Sequence, residues 1–214
     1  MSTNIDYWEK VLENPTPAFE ALFDAELTYI RSRVPGNSKV LEIGCGNGRN
    51  IKSIAEFTKD IIGIDNDPKA VEDARKNLAG FSGVKIMLAD ALDLPFPDKS
   101  FDVMIFLDTL VNMKENKVQA LKEMSRVLTD TGKIIISVYS EDAFDARMDI
   151  YKIVNAPINK TEGTKVTFDE SLAANVSEQF SKEDIESLAD QSGLNLVDCK
   201  KVPGIAYICT LAKK

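Results

Sequence analysis

Gly44, Gly46 and Gly48 fall within five positions, and acids follow at Asp65, Asp90 and Asp108; these are the residues whose types and spacing could do chemistry. A glycine turn presents bare backbone, which a nucleotide-like ligand can approach closely at a helix amino terminus. Asp65 lies 21 positions after Gly44, where a doubly wound fold presents an acid to ribose hydroxyls. A carboxylate accepts two hydrogen bonds at once, so it suits a vicinal diol. The alternative for Asp65 is a helix-initiating acid before Pro68, but Asp67 fills that role better. Asp90, in ADALDLPFPDKSFD, can accept from an exocyclic amine such as adenine's, with Ala89, Ala91 and Leu92 as a small apolar wall.

Composition narrows the chemistry. The chain has no histidine, which removes Ser-His and Cys-His nucleophile systems and histidine-based metal sites. Cys45, Cys199 and Cys209 are odd in number and lack CxxC spacing, so neither a disulfide framework nor a zinc site is expected. A formal charge of −8 over 214 residues argues against a broad nucleic-acid footprint and leaves room for a local basic patch only. The polar, acidic start MSTNIDYWEK carries no signal-peptide pattern, and no apolar run is long enough to span a bilayer. A cytoplasmic protein without membrane partners is expected.

The elements that must position these residues follow from periodicity. Val40, Leu41 and Ile43 make a short buried strand, and Ile51, Ile54 and Ala55 recur at helical spacing, giving strand, glycine turn, helix. Strands follow at 61–65, 84–88, 101–107 and 133–139, with helices at 68–79 and 114–128 between them. This alternation predicts right-handed crossovers and a parallel sheet covered on both faces. Ahead of it, 5–34 reads as two helices broken at Asn14-Pro15-Thr16-Pro17. Beyond it, 141–175 is polar and aperiodic, with a helix near 144–154 and a short strand near 165–168. Ser181 and Asp184 form a near capping box for a helix ending at Gly193. The strands 194–202 and 205–211 flank Pro203-Gly204 as a closing antiparallel hairpin.

VLEIGCGNG, IIGID, LADALDLPFPDKSFDVMI and RVLTDTGKIII, in that order and spacing, resemble the successive motifs of class I S-adenosylmethionine-dependent methyltransferases, in particular their small-molecule branch. The resemblance covers about 40–139, and SKEDIESLADQSGLNLVDCKKV is similar to that group's closing helix and strand. It implies a Rossmann-like α/β fold with a mostly parallel seven-stranded sheet, and S-adenosylmethionine as cofactor. By that resemblance Glu42, Gly44, Cys45, Gly46, Asn47 and Gly48 line the methionine and ribose side. Asp65 with Asn66 takes the ribose, Asp90, Ala91 and Leu92 the adenine, and Phe106, Leu107 and Asp108 the methionine end. The rival is a dinucleotide-binding oxidoreductase, whose GxGxxG fingerprint needs a small third residue. Arg49 stands there, and the chain reads GxGxG.

The expected organisation is one methyltransferase domain over 1–214, with a helical lid at 1–36 and an insertion at 141–175 shaping the substrate pocket. The expected reaction is in-line methyl transfer to a small-molecule acceptor, with no metal. Alternatives are an RNA- or transfer-RNA-modifying enzyme and a non-catalytic cofactor-binding subunit. FLDT after the fourth strand lacks the Asn/Asp-Pro-Pro-Tyr/Phe element of enzymes that methylate nucleobase amines. Candidate bases are Asp108, Tyr139, and Glu141 or Asp142 beyond it. Asp108 has two readings of equal weight: it orients a cationic or hydroxyl acceptor or the cofactor's ammonium, or it caps the next helix near Asn112. Tyr7, Trp8, Asn112 and Tyr139 are candidate acceptor contacts, and Phe19, Phe144, Tyr151 and Phe168 are further aromatics that could build an apolar pocket.

Overall fold

Strands whose residues are apolar on both faces need cover on both sides, and the chain supplies it by alternating strand with helix. The computed structural model describes residues 4–169 and 176–214, with side chains from Glu9 onward. In chain order the elements are α1 (Asn4–Glu13), α2 (Pro17–Arg31), β1 (Lys39–Ile43), α3 (Arg49–Ile54), β2 (Asp60–Asp65), α4 (Pro68–Asn77), β3 (Val84–Leu88) and β4 (Phe101–Phe106). They continue with α5 (Lys117–Val127), β5 (Leu128–Tyr139), α6 (Phe144–Ile153), β6 (Ile158–Glu162), β7 (Lys165–Phe168), β8 (Val176–Ser177), α7 (Lys182–Gln191), β9 (Leu194–Val202) and β10 (Ala206–Lys213).

The main sheet has seven strands in the order β3-β2-β1-β4-β5-β10-β9. β1 to β5 pair in parallel, and β10 runs antiparallel to both β5 and β9. The expected seven-stranded, mostly parallel sheet with its closing hairpin is therefore present. Chain order reverses between β1 and β4, and in such a sheet a ligand crevice opens beyond the carboxyl ends of the strands at that point. β1, β4 and β5 carry the core, with Val40, Leu41, Val103, Met104, Ile105, Ile134, Ile135 and Ile136 buried.

Local chemistry explains the element ends. Asp67 caps α4 by accepting from Lys69 N at 2.8 Å, with Pro68 in its first turn. Ser181 and Asp184 close a full capping box on α7. The expected helix at 114–128 begins later, at Lys117, because Asn116 ahead of it takes a left-handed conformation at φ +65°; 110–112 forms a separate 3₁₀ turn. β5 begins five residues earlier than expected, at Leu128 rather than Lys133, because Leu128 pairs with Phe101 across a register shift.

The second sheet, β6-β7-β8, was legible only at β7. β6 is INKTE, four of whose five residues are exposed, so it carries no apolar alternation. Arg147 of α6 ties this sheet down. It is 0% exposed and donates to Thr164 O at 2.9 Å, Gln179 Oε1 at 2.9 Å, Ser177 O at 2.7 Å and Ser177 Oγ at 2.8 Å. Its guanidinium also lies 5.2 Å from the Tyr139 ring. These neutral acceptors replace the hydration that the buried cation has lost. Arg147→Met strips donors from several buried acceptors at once, so urea unfolding should show a loss of about 3 kcal/mol. Arg147→Lys should recover only part of it, since an ammonium cannot reproduce the planar fork.

Candidate functional site

A cleft of about 380 Å³ opens at the reversal point, over the ends of β1, β2, β3 and β4. Gly44 has φ +70°, and a Cβ there would lie 2.4 Å from Thr109 Oγ1; the loop after β4 thus closes on bare backbone. Gly48, at φ +85°, packs where a Cβ would meet Leu78 Cδ1 at 2.5 Å. Its role is seating α3 against α4.

Asp65 organises the ribose-sized middle of the cleft. Its Oδ2 accepts from Gly46 N at 2.9 Å and its Oδ1 from Asp67 N at 2.9 Å. Each oxygen keeps a lone pair for a hydroxyl donor. Burial raises its pKa, against the opposing pull of those two backbone donors. Asp90 Oδ1 accepts from Leu92 N at 2.9 Å, leaving Oδ2 for an amine. Ala89, Ala91, Leu92, Ile64 and Ala70 line the cleft around it.

At the other end lie Leu107, Asp108, Thr109, Asn112 and Met113, with Leu12 of α1 and Phe23 of α2 above them. Asp108 sits at φ +49°, a left-handed conformation uncommon for a residue other than glycine and often found at functional sites. Its N–H donates to Ser137 Oγ at 3.0 Å, Ser137 Oγ donates to its Oδ1 at 3.3 Å, and Asn112 Nδ2 donates to its carbonyl at 2.8 Å. No side chain caps the 3₁₀ turn that follows, so Asp108 is not acting as a helix cap. It opens to the cleft yet lies deep, and burial pushes its pKa up to about 6.

Of the residues singled out in the sequence, Gly44, Cys45, Gly46, Asn47, Asp65, Asn66, Asp90, Ala91, Leu92, Leu107, Asp108 and Asn112 line this cleft. Four others lie behind its wall. Glu42 is 1% exposed and accepts from Asn50 Nδ2 at 2.9 Å; Asn50 reaches the cleft in its place. Gly48 is taken up by α3 packing, and Phe106 is core. Tyr139 is corrected from acceptor contact or base to core: it is fully buried, 6.1 Å from the Phe19 ring. Tyr7 and Trp8 belong to α1, but their side chains lie outside those described. No residue of 141–169 lines the cleft; Tyr151 and Phe168 instead pack edge to face at 5.2 Å. Positions 170–175 lie outside the described residues. Cys45 is half filler and half lining, and burial pushes its thiol up, away from reactivity.

Sequence reasoning missed Glu26, Phe23 and Leu12. Glu26 had a signal, an acid on the apolar stripe of α2 among Phe19, Leu22, Tyr29 and Ile30, all buried. Arg49 served only to exclude a dinucleotide; in the structure it stacks 4.4 Å from the Phe23 ring and is 4.0 Å from Glu26. Among the described residues no cluster of three or more metal-ligating side chains occurs.

Sheet order, glycine turn and acid-lined cleft define a doubly wound α/β protein with a cleft at its topological switch point. Residues 36–193 match the family described as methyltransferase domain, and the chain belongs to that family. It is 32% identical over 145 residues to mouse Probable tRNA methyltransferase 9B, covering 65% of this chain and 31% of that protein. It is 32% identical over 107 residues to demethylmenaquinone methyltransferase of Tropheryma whipplei, covering 50% of this chain and 44% of that one. The chain thus spans less than half of either relative. The PH0226 protein of Pyrococcus horikoshii shares the fold, with a TM-score of 0.71 at 23% identity over 99% of this chain and 94% of that one. Solved structures of S-adenosylmethionine-dependent methyltransferases share it too. S-adenosylmethionine is the methyl donor named for those two proteins.

Two outcomes follow from this geometry. Asp65→Ala should raise the calorimetric Kd for S-adenosylmethionine roughly a hundredfold, the loss of two charge-assisted hydrogen bonds. The second concerns stability. Burial raises the Glu42 pKa to about 7, above its unfolded value of about 4.3. The native state therefore holds a proton that the unfolded chain gives up, and stability falls as pH rises between those values. Glu42→Gln carries no such proton, so its urea midpoint should fall less than the wild type's between pH values below and above that window.

Proposed function

We propose that the chain transfers a methyl group to a small-molecule acceptor held between the loop after β4 and the cover formed by α1 and α2. The observation that carries this reading is the charge and closure of the cleft. Among the described residues, Arg49 is the only cation lining it, against Asp65, Asp67, Asp90 and Asp108. Arg49 is itself turned to Phe23 and Glu26. A phosphate backbone finds no landing there, whereas an uncharged or cationic small molecule does.

The residues fit the cofactor in three places. The bare turn at Gly44 and Gly46 admits its methionine part, the free lone pairs of Asp65 suit the ribose diol, and Asp90 Oδ2 suits the adenine amine. When bound, S-adenosylmethionine supplies a methyl on a sulfonium together with its own leaving group. The chain has to orient the acceptor behind that methyl and keep water out. Leu12 and Phe23, lining the cleft together with Met113, supply the apolar cover, which is the lid function we assign to 1–36. Asp108 stands where an acceptor's proton would be taken.

A transfer-RNA acceptor is the second reading, favoured by the name of the mouse relative. Titration calorimetry should show S-adenosylmethionine and S-adenosylhomocysteine binding and NAD failing to bind. A small-metabolite extract should then support S-adenosylhomocysteine release at a rate little changed between about 50 and about 200 mM salt. Release driven by bulk tRNA, falling steeply over that range, would replace the small-molecule reading with the RNA one. Binding of NAD alone would overturn both.

A further inference from the structure

Glu26 is a buried ionisable group on α2 whose carboxyl oxygens no other described residue satisfies. It is 2% exposed, and neither carboxyl oxygen receives a hydrogen bond from any described residue. The nearest cation, Arg49 of α3, holds Nη2 4.0 Å from Oε2, beyond hydrogen-bonding distance. The carboxyl group lies against Asp108 and Ser137. Ser137 has one hydroxyl hydrogen, which it directs to Asp108 Oδ1.

The groups facing this pair are few. α3 contributes Arg49, β1 contributes Glu42, and β5 contributes the neutral Ser137. Two adjacent carboxylates at this depth, with one partly exposed guanidinium beside them, cannot both hold charge cheaply. A proton between them removes one charge and supplies the donor that Asp108's carboxylate can accept. Burial and Asp108's charge push Glu26 well above the carboxylate range, whereas Arg49 and the bonds from Ser137 and Glu26 oppose the rise at Asp108. Glu26 is 2% exposed and receives no hydrogen bond from a described residue, whereas Asp108 opens to the cleft and accepts from Ser137, so the proton belongs on Glu26.

We propose that Glu26 is a positioning residue for Asp108. The two carboxyls share one proton, carried by Glu26, and Asp108 is kept as the charged base at the acceptor end of the cleft. Such a base selects an acceptor atom that gives up a proton as it is methylated, a hydroxyl or an ammonium. The step balances: the acceptor's proton passes to Asp108 and then to water, and the freed lone pair forms the bond to the methyl carbon. The carbon–sulfur bond breaks with its electron pair going to sulfur, which leaves as a neutral thioether. The selection rests on the methyltransferase reading above; the protonation of the pair does not.

Carboxyl-labelled protein without cofactor, titrated by ¹³C NMR, tests the pair directly, with Asp108→Asn and Glu26→Gln assigning the two resonances. Glu26 should remain protonated at neutral pH while Asp108 titrates near 6. Glu26→Gln, whose amide still donates, should hold the Asp108 midpoint there. Glu26→Met fills the space without a donor and should move that midpoint up by about one pH unit, a tenfold gain in proton affinity. The acid limb of the methyl-transfer pH profile should move with it. A Glu26 that titrates as an ordinary carboxylate, or an Asp108 midpoint equal in the Gln and Met variants, overturns the proposal. Should the Met variant fail to fold, Asp108→Asn decides: the Glu26 midpoint must fall, because Asp108's charge helps hold it up, and an unchanged midpoint refutes the sharing. Cofactor calorimetry reports separately on the methyltransferase reading.

Discussion

Three loop ends meet on one residue. Asp65 takes the N–H of Gly46 from the loop after β1 and that of Asp67 from the loop after β2, each at 2.9 Å. Its carbonyl takes the N–H of Ala89, after β3, at 3.0 Å. In a parallel sheet the strands are held along their length by ladder hydrogen bonds, but the loops at their ends have no ladder to hold them. One carboxylate and one carbonyl replace it here, so the glycine turn and the adenine wall keep a fixed separation whether or not a ligand bridges them. Preorganisation of this kind spares the ligand the cost of ordering three loops.

The acceptor half is built on different physics. Its polar groups are not tied to backbone donors across loops but sunk against one another, with Glu26, Glu42 and Asp108 all raised by burial. That arrangement opposes folding at neutral pH, since the unfolded chain would ionise these acids freely. Such a cost persists where the surrounding core over-determines the position, as it does for a left-handed Asp108 bracketed by Ser137 and Asn112. The two halves of the cleft thus divide the work, the first held by backbone hydrogen bonds across loops and the second chemically poised by the burial of its acids.

That division also explains what could be read from the sequence. Strand, glycine turn and helix are local patterns, and Asp65 ends a strand while Asp90 and Asp108 each follow one, so their place at the strand ends was legible from spacing alone. Tyr139 was misplaced because Ile134, Ile135, Ile136, Ser137, Val138 and Tyr139 are all buried; a strand covered on both faces has no alternation to tell which side chain meets the cleft. Glu42 failed for a related reason: the motif locates its backbone at the turn, while its side chain goes beneath and bonds Asn50. Glu26 and Asp108 lie 82 positions apart. Only the packing of α2 brings them together, and periodicity could show no more than an acid on an apolar stripe.

The family match begins at residue 36, after α2 has ended. The glycine turn, Asp65, Asp90 and Asp108 lie inside it, and Glu26, Leu12 and Phe23 lie outside. The acceptor site we propose depends on what a chain packs over the loop after β4. In this one a helix carries a carboxyl group down onto Asp108. If Asp108 is the base we propose, a change confined to α2 alters its protonation while leaving the hydrogen bonds of Asp65 and Asp90 in place, and such a separation lets one sheet serve many acceptors.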